Sequence, residues 1–266
     1  MQSLYLPQYE AFIRWHQAGH EGKPVIYLPG LSLPAVGCFL SLATHPAMAG
    51  TTGILLDYLG SGVSDRAPGF GYSLAEHAEC VAAVMDHLGY GPCAIMGYSM
   101  GGSVAIELAL RRPDLVSQLI VAEGNLFPGG GVASRRIAAM PVTEFIEQDL
   151  PETLAYLRSA ALAGDDQAGF IAAGWSIADP RGIYENAAML VNLPEDFAGR
   201  FFAMPQTRHF FMGQKTLAEP PSADRPEIAA LERHGISTAI IENVGHELMR
   251  GNAAGFAVAL AVALRL

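Results

Sequence analysis

At 266 residues, 51% hydrophobic and 16% charged, the chain is long and apolar enough to bury a large core, which excludes global disorder and suits one α/β domain with a small insertion. A formal net charge of −10 argues against nucleic acid and against anionic membrane surfaces as partners. Three cysteines without close spacing, Cys38, Cys80 and Cys93, suggest neither a disulfide framework nor a zinc site and fit a reducing compartment, the cytoplasm. The N-terminus lacks a signal-peptide pattern. The longest apolar stretch, Phe256 to Leu264, is too short to span a bilayer and reads as a core-packing helix.

Residues 4 to 20 interleave Tyr5, Tyr9, Phe12, Ile13 and Trp15 with polar residues, and a turn falls near Gly19 to Gly22. This predicts an N-terminal hairpin that covers a sheet edge. Pro24 to Leu28 is a buried strand ended by Pro29-Gly30, and the loop Leu31 to Pro34 runs toward a helical Cys38-Phe39-Leu40. Thr52 to Leu56 is a second buried strand, ending at Asp57 and the glycine-rich Tyr58 to Arg66. Ser73-x-x-Glu76 is a capping box that opens a helix with the stripe Cys80, Val81, Val84, Met85 and Leu88, closed by Gly89.

Cys93 to Gly102 then joins a short apolar run to Gly-Tyr-Ser-Met-Gly and a helical pattern carrying Val104 and Leu108, with Pro113 as its stop. A bare Gly-x-Ser-x-Gly is a weak signal; a strand before it and a helix after it are the confirming context. That context makes Ser99, at the tip of a strained turn, a candidate nucleophile, with the helix N-terminus directed at the place where an oxyanion forms. The bland alternative is a tight turn with a solvated serine. Ser117 to Ala122 is a further strand, ending at Glu123-Gly124-Asn125. From 125 to about 200 the rhythm breaks into Ala-rich helical segments, predicted as a helical cap inserted between strands. The alternation resumes with strands at Thr207 to Gly213 and Ser237 to Ile241, a helix near Glu227 to His234 between them, a loop at Val244 to Met249, and the C-terminal helix. Repeated βα units with buried strands imply an α/β fold with a mostly parallel, doubly wound sheet covered on both faces. The expected division is a core of residues 1–124 and 201–266 with a helical insertion at 125–200.

Four features in order resemble the α/β-hydrolase superfamily, in its capped, serine esterase-like branch. They are the strand ending in Pro29-Gly30, the Asp57 to Ser64 loop, the Gly-Tyr-Ser-Met-Gly-Gly elbow, and the late Gly245-His246. The resemblance implies a Ser…acid…His order, an oxyanion hole, and no metal or organic cofactor. His246, after the last strand, lies where that family carries its base. The amide of Met100, next to the nucleophile, is one oxyanion donor by geometry. The family's second donor follows a His-Gly; here Pro29 replaces that histidine, and Leu31 is the donor by alignment, with Ser32 able to assist. The usual site for the acid, after Met212-Gly213, reads Gln214-Lys215-Thr216 and holds no carboxylate. Some members carry the acid one strand earlier, where Glu123 sits at a strand end bordering the ligand-binding edge. Glu219 and Asp224 are the alternatives, and a dyad without an acid is the third case. Glu247 reads as a solvated or capping residue.

His77, His87 and His234 lie on predicted helices, where surface or helix-end roles suffice. Asp57 with Gly60 and Gly62 reads as a structural turn rather than a phosphate cradle. Arg135-Arg136 reads as a solvated helix face that could meet an anionic substrate. Phe127, Phe145, Trp175 and Ile177 are candidates for a pocket roof or for packing within the cap. The leading expectation is a serine-dependent hydrolase of small carboxylic esters, with thioesters, lactones and carbon–carbon bonds β to a ketone open to the same machinery. A small-molecule receptor on a hydrolase fold, with little turnover, and a non-hydrolytic lyase are the alternatives. The partner in each case is a small molecule, and the oligomeric state is open.

Overall fold

In the computed structural model, which describes residues 1–19, 22–219 and 225–266, strands buried along most or all of their length form the centre of the sheet. Every residue of β4 (Thr51–Asp57) and β5 (Cys93–Tyr98) is buried, whereas the first two residues of β3 (Lys23–Leu28) are not. Alternate residues of one strand feed opposite layers. Val25 and Tyr27 of β3 pack on one side of the sheet, and Ile26 and Leu28 on the other. The sheet runs β1-β2-β4-β3-β5-β6-β7-β8 among the described residues, with β6 (Val116–Ala122), β7 (Thr207–Gly213) and β8 (Ser237–Ile241) parallel to β3, β4 and β5.

The N-terminal hairpin differs from expectation in its turn. Its strands, β1 (Gln2–Leu6) and β2 (Ala11–Ala18), reverse at Pro7 to Glu10, where Glu10 has φ 50°, and not at Gly19 to Gly22. It covers the sheet edge as expected, and does so by extending the sheet, β2 pairing antiparallel with β4 from Arg14↔Asp57 to Ala18↔Gly53. The reason is period: Ala11, Ile13 and Trp15 alternate inward, so β2 buries one face while its backbone satisfies the open edge of β4. Gly19 belongs to the link toward β3, and His20 lies outside the described residues.

Helices α1 (Ala35–Ala43) and the C-terminal α13 (Ala253–Leu264) share one buried layer; α2 (Leu74–Leu88) and α3 (Met100–Arg111) share the other. The Ser73–Glu76 capping box forms, and Gly89 closes α2 with φ 64°. Where sequence suggested a surface histidine, His77 of α2 is fully buried. Between β6 and β7 the chain is helical: α4 (Val132–Ala138), α5 (Val142–Glu144) running through a π turn into α6 (Leu150–Leu162), α7 (Asp166–Ile177), α8 (Pro180–Val191) and α9 (Phe197–Ala203). Short helices α10 (Gln214–Ala218) and α11 (Ile228–Arg233) link β7 to β8. After β8 the expected loop at Val244 to Met249 is cut short by α12 (Leu248–Gly251), because Leu248 and Met249 turn inward to pack. Among the described residues no helix is long and apolar enough to cross a membrane.

Candidate active site

Ser99 sits between the last residue of β5 and the first of α3 with φ 52° and ψ −121°, a conformation that costs an L-residue roughly 1–3 kcal/mol unless its surroundings impose it. Here they do. The Ser99 amide continues the sheet ladder to the Ala122 carbonyl at 2.9 Å, and the Gly102 amide closes the turn onto the Ser99 carbonyl at 2.9 Å. The turn is tight enough that its glycines have no substitute. A Cβ on Gly97 would stand 2.2 Å from the Gly101 carbonyl oxygen, and one on Gly101 would stand 2.1 Å from that of Leu28. Met100 is the first residue of α3, so its amide has no intrahelical acceptor, and α3 adds the positive end of its dipole at the same point.

His246 follows β8 and reaches back across the sheet edge, placing Nε2 3.1 Å from Ser99 Oγ. Its Nδ1 lies 3.6 Å from Glu123 Oε2. Glu123 leaves the end of β6 with φ 50°; its amide donates to the Phe211 carbonyl at 2.9 Å, and its Oε1 accepts the Gly213 amide at 2.6 Å. The carboxylate is therefore held between two strand ends, only 6% exposed, while the imidazole is 46% exposed because it faces an open cavity. Partial desolvation in the cavity disfavours the imidazolium, but the Glu123 carboxylate beside Nδ1, then the charges of Glu247 and Glu219, outweigh it and raise the His246 pKa above its ordinary 6.5. With Glu123 on the Nδ1 side, the neutral ring carries its proton there and presents Nε2 to Ser99 as an acceptor.

The three groups read from sequence as nucleophile, base and acid are thus brought together. Of the alternative acids, Glu219 borders the same cavity beyond Thr216 but makes no ion pair with His246 among the described residues, and Asp224 lies outside them. The loop after β3 completes the site. Leu31 borders the cavity, Leu33 N–H donates to the Gly30 carbonyl at 3.1 Å, and Ser32 between them is fully buried with φ 52°. The cavity measures about 690 Å³. Its apolar wall is built by Leu33, Ile171, Trp175, Leu190, Phe210 and Met212, so the inserted helices α7 and α8 supply part of it.

Other sequence candidates separate cleanly. Trp175 lines the cavity, with its Nε1–H on the Leu31 carbonyl at 3.1 Å. Phe145 is fully buried, Phe127 packs against the core, and Ile177 is half exposed on the surface. Arg135 reaches the cavity, and its Nη1 donates to the Gly130 carbonyl at 2.6 Å, whereas its neighbour Arg136 pairs with Asp149. Asp57 is a buried structural brace: Oδ1 accepts the Ala35 amide at 2.6 Å and Oδ2 that of Val63 at 2.9 Å, with burial pushing its pKa up. Sequence reasoning missed Asn186 and the buried position of His77. A signal for Asn186 was present, since Ile183, Asn186, Ala187 and Leu190 form one helical stripe with a polar residue in it.

The chain matches the family of the alpha/beta hydrolase fold over residues 23–158, half its length, and belongs to it. Within that family, haloalkane dehalogenase 2 of Mycobacterium tuberculosis is 28% identical over 188 residues, spanning 65% of this chain and 65% of that protein, just under two thirds of each. Among solved structures, an esterase of Thermogutta terrifontis superposes with a TM-score of 0.79 at 20% identity, covering 100% of this chain and 98% of that one. An N-formylmaleamic acid deformylase of Pseudomonas putida superposes with a TM-score of 0.71 at 18% identity, covering 97% and 99%. At these identities the structural likeness is one of fold, and the fold carries more than one chemistry.

Proposed function

We propose that this chain is a serine hydrolase of small carboxylic esters or closely related acyl compounds, acting on a small molecule in the cytoplasm. The observation that carries the reading is the line from Glu123 through His246 to Ser99 Oγ, with 3.6 Å and 3.1 Å separations, ending at the N-terminus of a buried helix inside a cavity. Ser99 Oγ attacks the substrate carbonyl carbon as His246 Nε2 takes its proton. The tetrahedral oxyanion is met by the amides of Met100 and Leu31. Collapse expels the alcohol, which takes the proton from His246, and leaves an acyl ester on Ser99. Water, deprotonated by His246, then attacks that ester, releasing the acid and restoring the hydroxyl. Glu123 stays ionised throughout and stabilises the imidazolium.

A hydroxyl at the elbow favours acyl transfer over the chemistry named by the dehalogenase relative. An acyl serine is an ester that water cleaves, whereas displacement of a halide by a serine oxygen would leave an inert ether. The test is intact-mass analysis after fluorophosphonate treatment. Wild type is expected to gain one adduct and Ser99→Ala none; an unlabelled wild type would reject an activated Ser99 and favour the receptor or lyase alternatives.

A further inference from the structure

Asn186 lies on the inward stripe of α8 with no exposed surface, in a position otherwise given to Ile183, Ala187 and Leu190. A carboxamide placed there is costly unless its hydrogen-bonding groups are satisfied. On one side its Oδ1 is 2.7 Å from His77 Nε2; on the other its Nδ2 donates to Ser32 Oγ at 3.3 Å. His77 is itself fully buried and ringed by Tyr58, Phe70 and Tyr72. Burial takes its pKa down to about 4, although the Asn186 contact opposes this, so the ring is neutral and donates from Nε2 to the amide oxygen. The amide is thereby oriented, with its NH₂ directed at Ser32.

A second contact from the inserted helices falls on the neighbouring residue, where Trp175 Nε1–H holds the Leu31 carbonyl at 3.1 Å. The loop they grip is the one that needs holding: Ser32 is a buried non-glycine residue with φ 52°, a backbone that persists only where its surroundings over-determine it. The grip is anchored in turn. At the start of α8 the Asp179 amide donates to the Gly60 carbonyl at 2.8 Å, and Tyr72 Oη donates to Asp179 Oδ2 at 2.7 Å.

We infer that Asn186 and Trp175 are positioning residues through which α8 and α7 hold the Leu31–Ser32 turn, and with it the second oxyanion donor; this rests on the ester-hydrolase reading above. Oxyanion donors act through being fixed before charge develops, so loosening the turn should weaken transition-state binding while leaving the cavity that receives the ground state. The inserted helices on this account are part of the catalytic apparatus as well as a cover.

The test uses Trp175→Phe, which keeps an aromatic ring against the cavity and removes the N–H, together with Asn186→Ala. Each is expected to lower kcat about 10- to 100-fold on a p-nitrophenyl ester, with KM unchanged within about threefold. Affinity for a trifluoromethyl ketone, which forms an oxyanionic adduct on the serine, should fall in parallel. Hydrogen exchange of the peptide covering residues 29–34 should quicken in both. A merely structural role would lower Tm and leave kcat of the folded protein and the ketone affinity at wild-type values, and that result overturns the inference. If wild type itself takes no fluorophosphonate, the ester-hydrolase reading fails and the catalytic role of the grip falls with it. A reactive wild type whose two variants keep full kcat overturns the grip alone.

Discussion

Helices α3 and α6 are of nearly equal length and opposite character. In α3 every residue from Met100 to Ala109 is buried, wedged between the sheet and α2. Among the described residues of α6 only Leu150 is buried, and Tyr156 and Leu162 stand 72% and 92% exposed. The first carries the candidate nucleophile at its tip; the second belongs to the inserted region that supplies part of the cavity wall through α7 and α8. The candidate nucleophile is thus fixed at the tip of a fully packed helix, whereas most of α6 is left to solvent, where local opening is cheaper.

The contrast can be broken most severely at Ser99. Replacing it with alanine should reduce ester turnover about 10⁴- to 10⁶-fold while leaving the fold intact, measured as kcat alongside thermal unfolding. Glu123→Gln comes next, with a loss of about 10²- to 10⁴-fold in kcat, since the imidazolium loses its counter-charge. Its pH profile is a second readout. In the proposed mechanism His246 is the base when neutral, so kcat/KM should rise with pH through a midpoint above 6.5 in wild type, where Glu123 raises the pKa. In Glu123→Gln that midpoint should move down; an unmoved midpoint would assign the orienting role elsewhere.

Two further substitutions probe stability rather than chemistry. Gly101→Ala sets a methyl group 2.1 Å from the Leu28 carbonyl oxygen, a backbone clash that no side-chain rotation relieves. It should cost about 3 kcal/mol in urea unfolding, because β3, β5 and α3 must separate to admit it. Leu162→Ser, at the other extreme of burial, should change unfolding free energy by less than about 0.5 kcal/mol. A large effect there would show that Leu162 is buried in solution, contrary to its exposed position.

Most of the central strands were legible because buried parallel strands are apolar on both faces and end in glycine, proline or a carboxylate, as Pro24 to Leu28 and Thr52 to Asp57 do. The elbow was legible for a related reason: a strand and helix that cross within 2.2 Å of a missing Cβ demand glycine at 97 and 101, and that demand is written locally. The N-terminal hairpin was less so. Alternation identified its strands, but pairing with β4 is a long-range contact, and nothing in residues 2–18 names its partner. His77 shows the same limit from the other side, since its helix position is compatible with surface or core until Asn186, 109 residues further on, is brought against it.

Residue identity and spacing by themselves therefore pointed to a mostly parallel α/β core and to a serine at a strained elbow, because each depends on backbone geometry that neighbouring residues impose, while the family resemblance named His246 and a short list of acids. Tertiary structure alone decided which carboxylate meets His246, that the Gly213 amide holds it, and that α7 and α8 reach over to the Leu31–Ser32 turn. Those contacts join segments between 90 and 154 residues apart. Long-range pairing of this kind is set by how layers pack, and no short stretch of sequence encodes it.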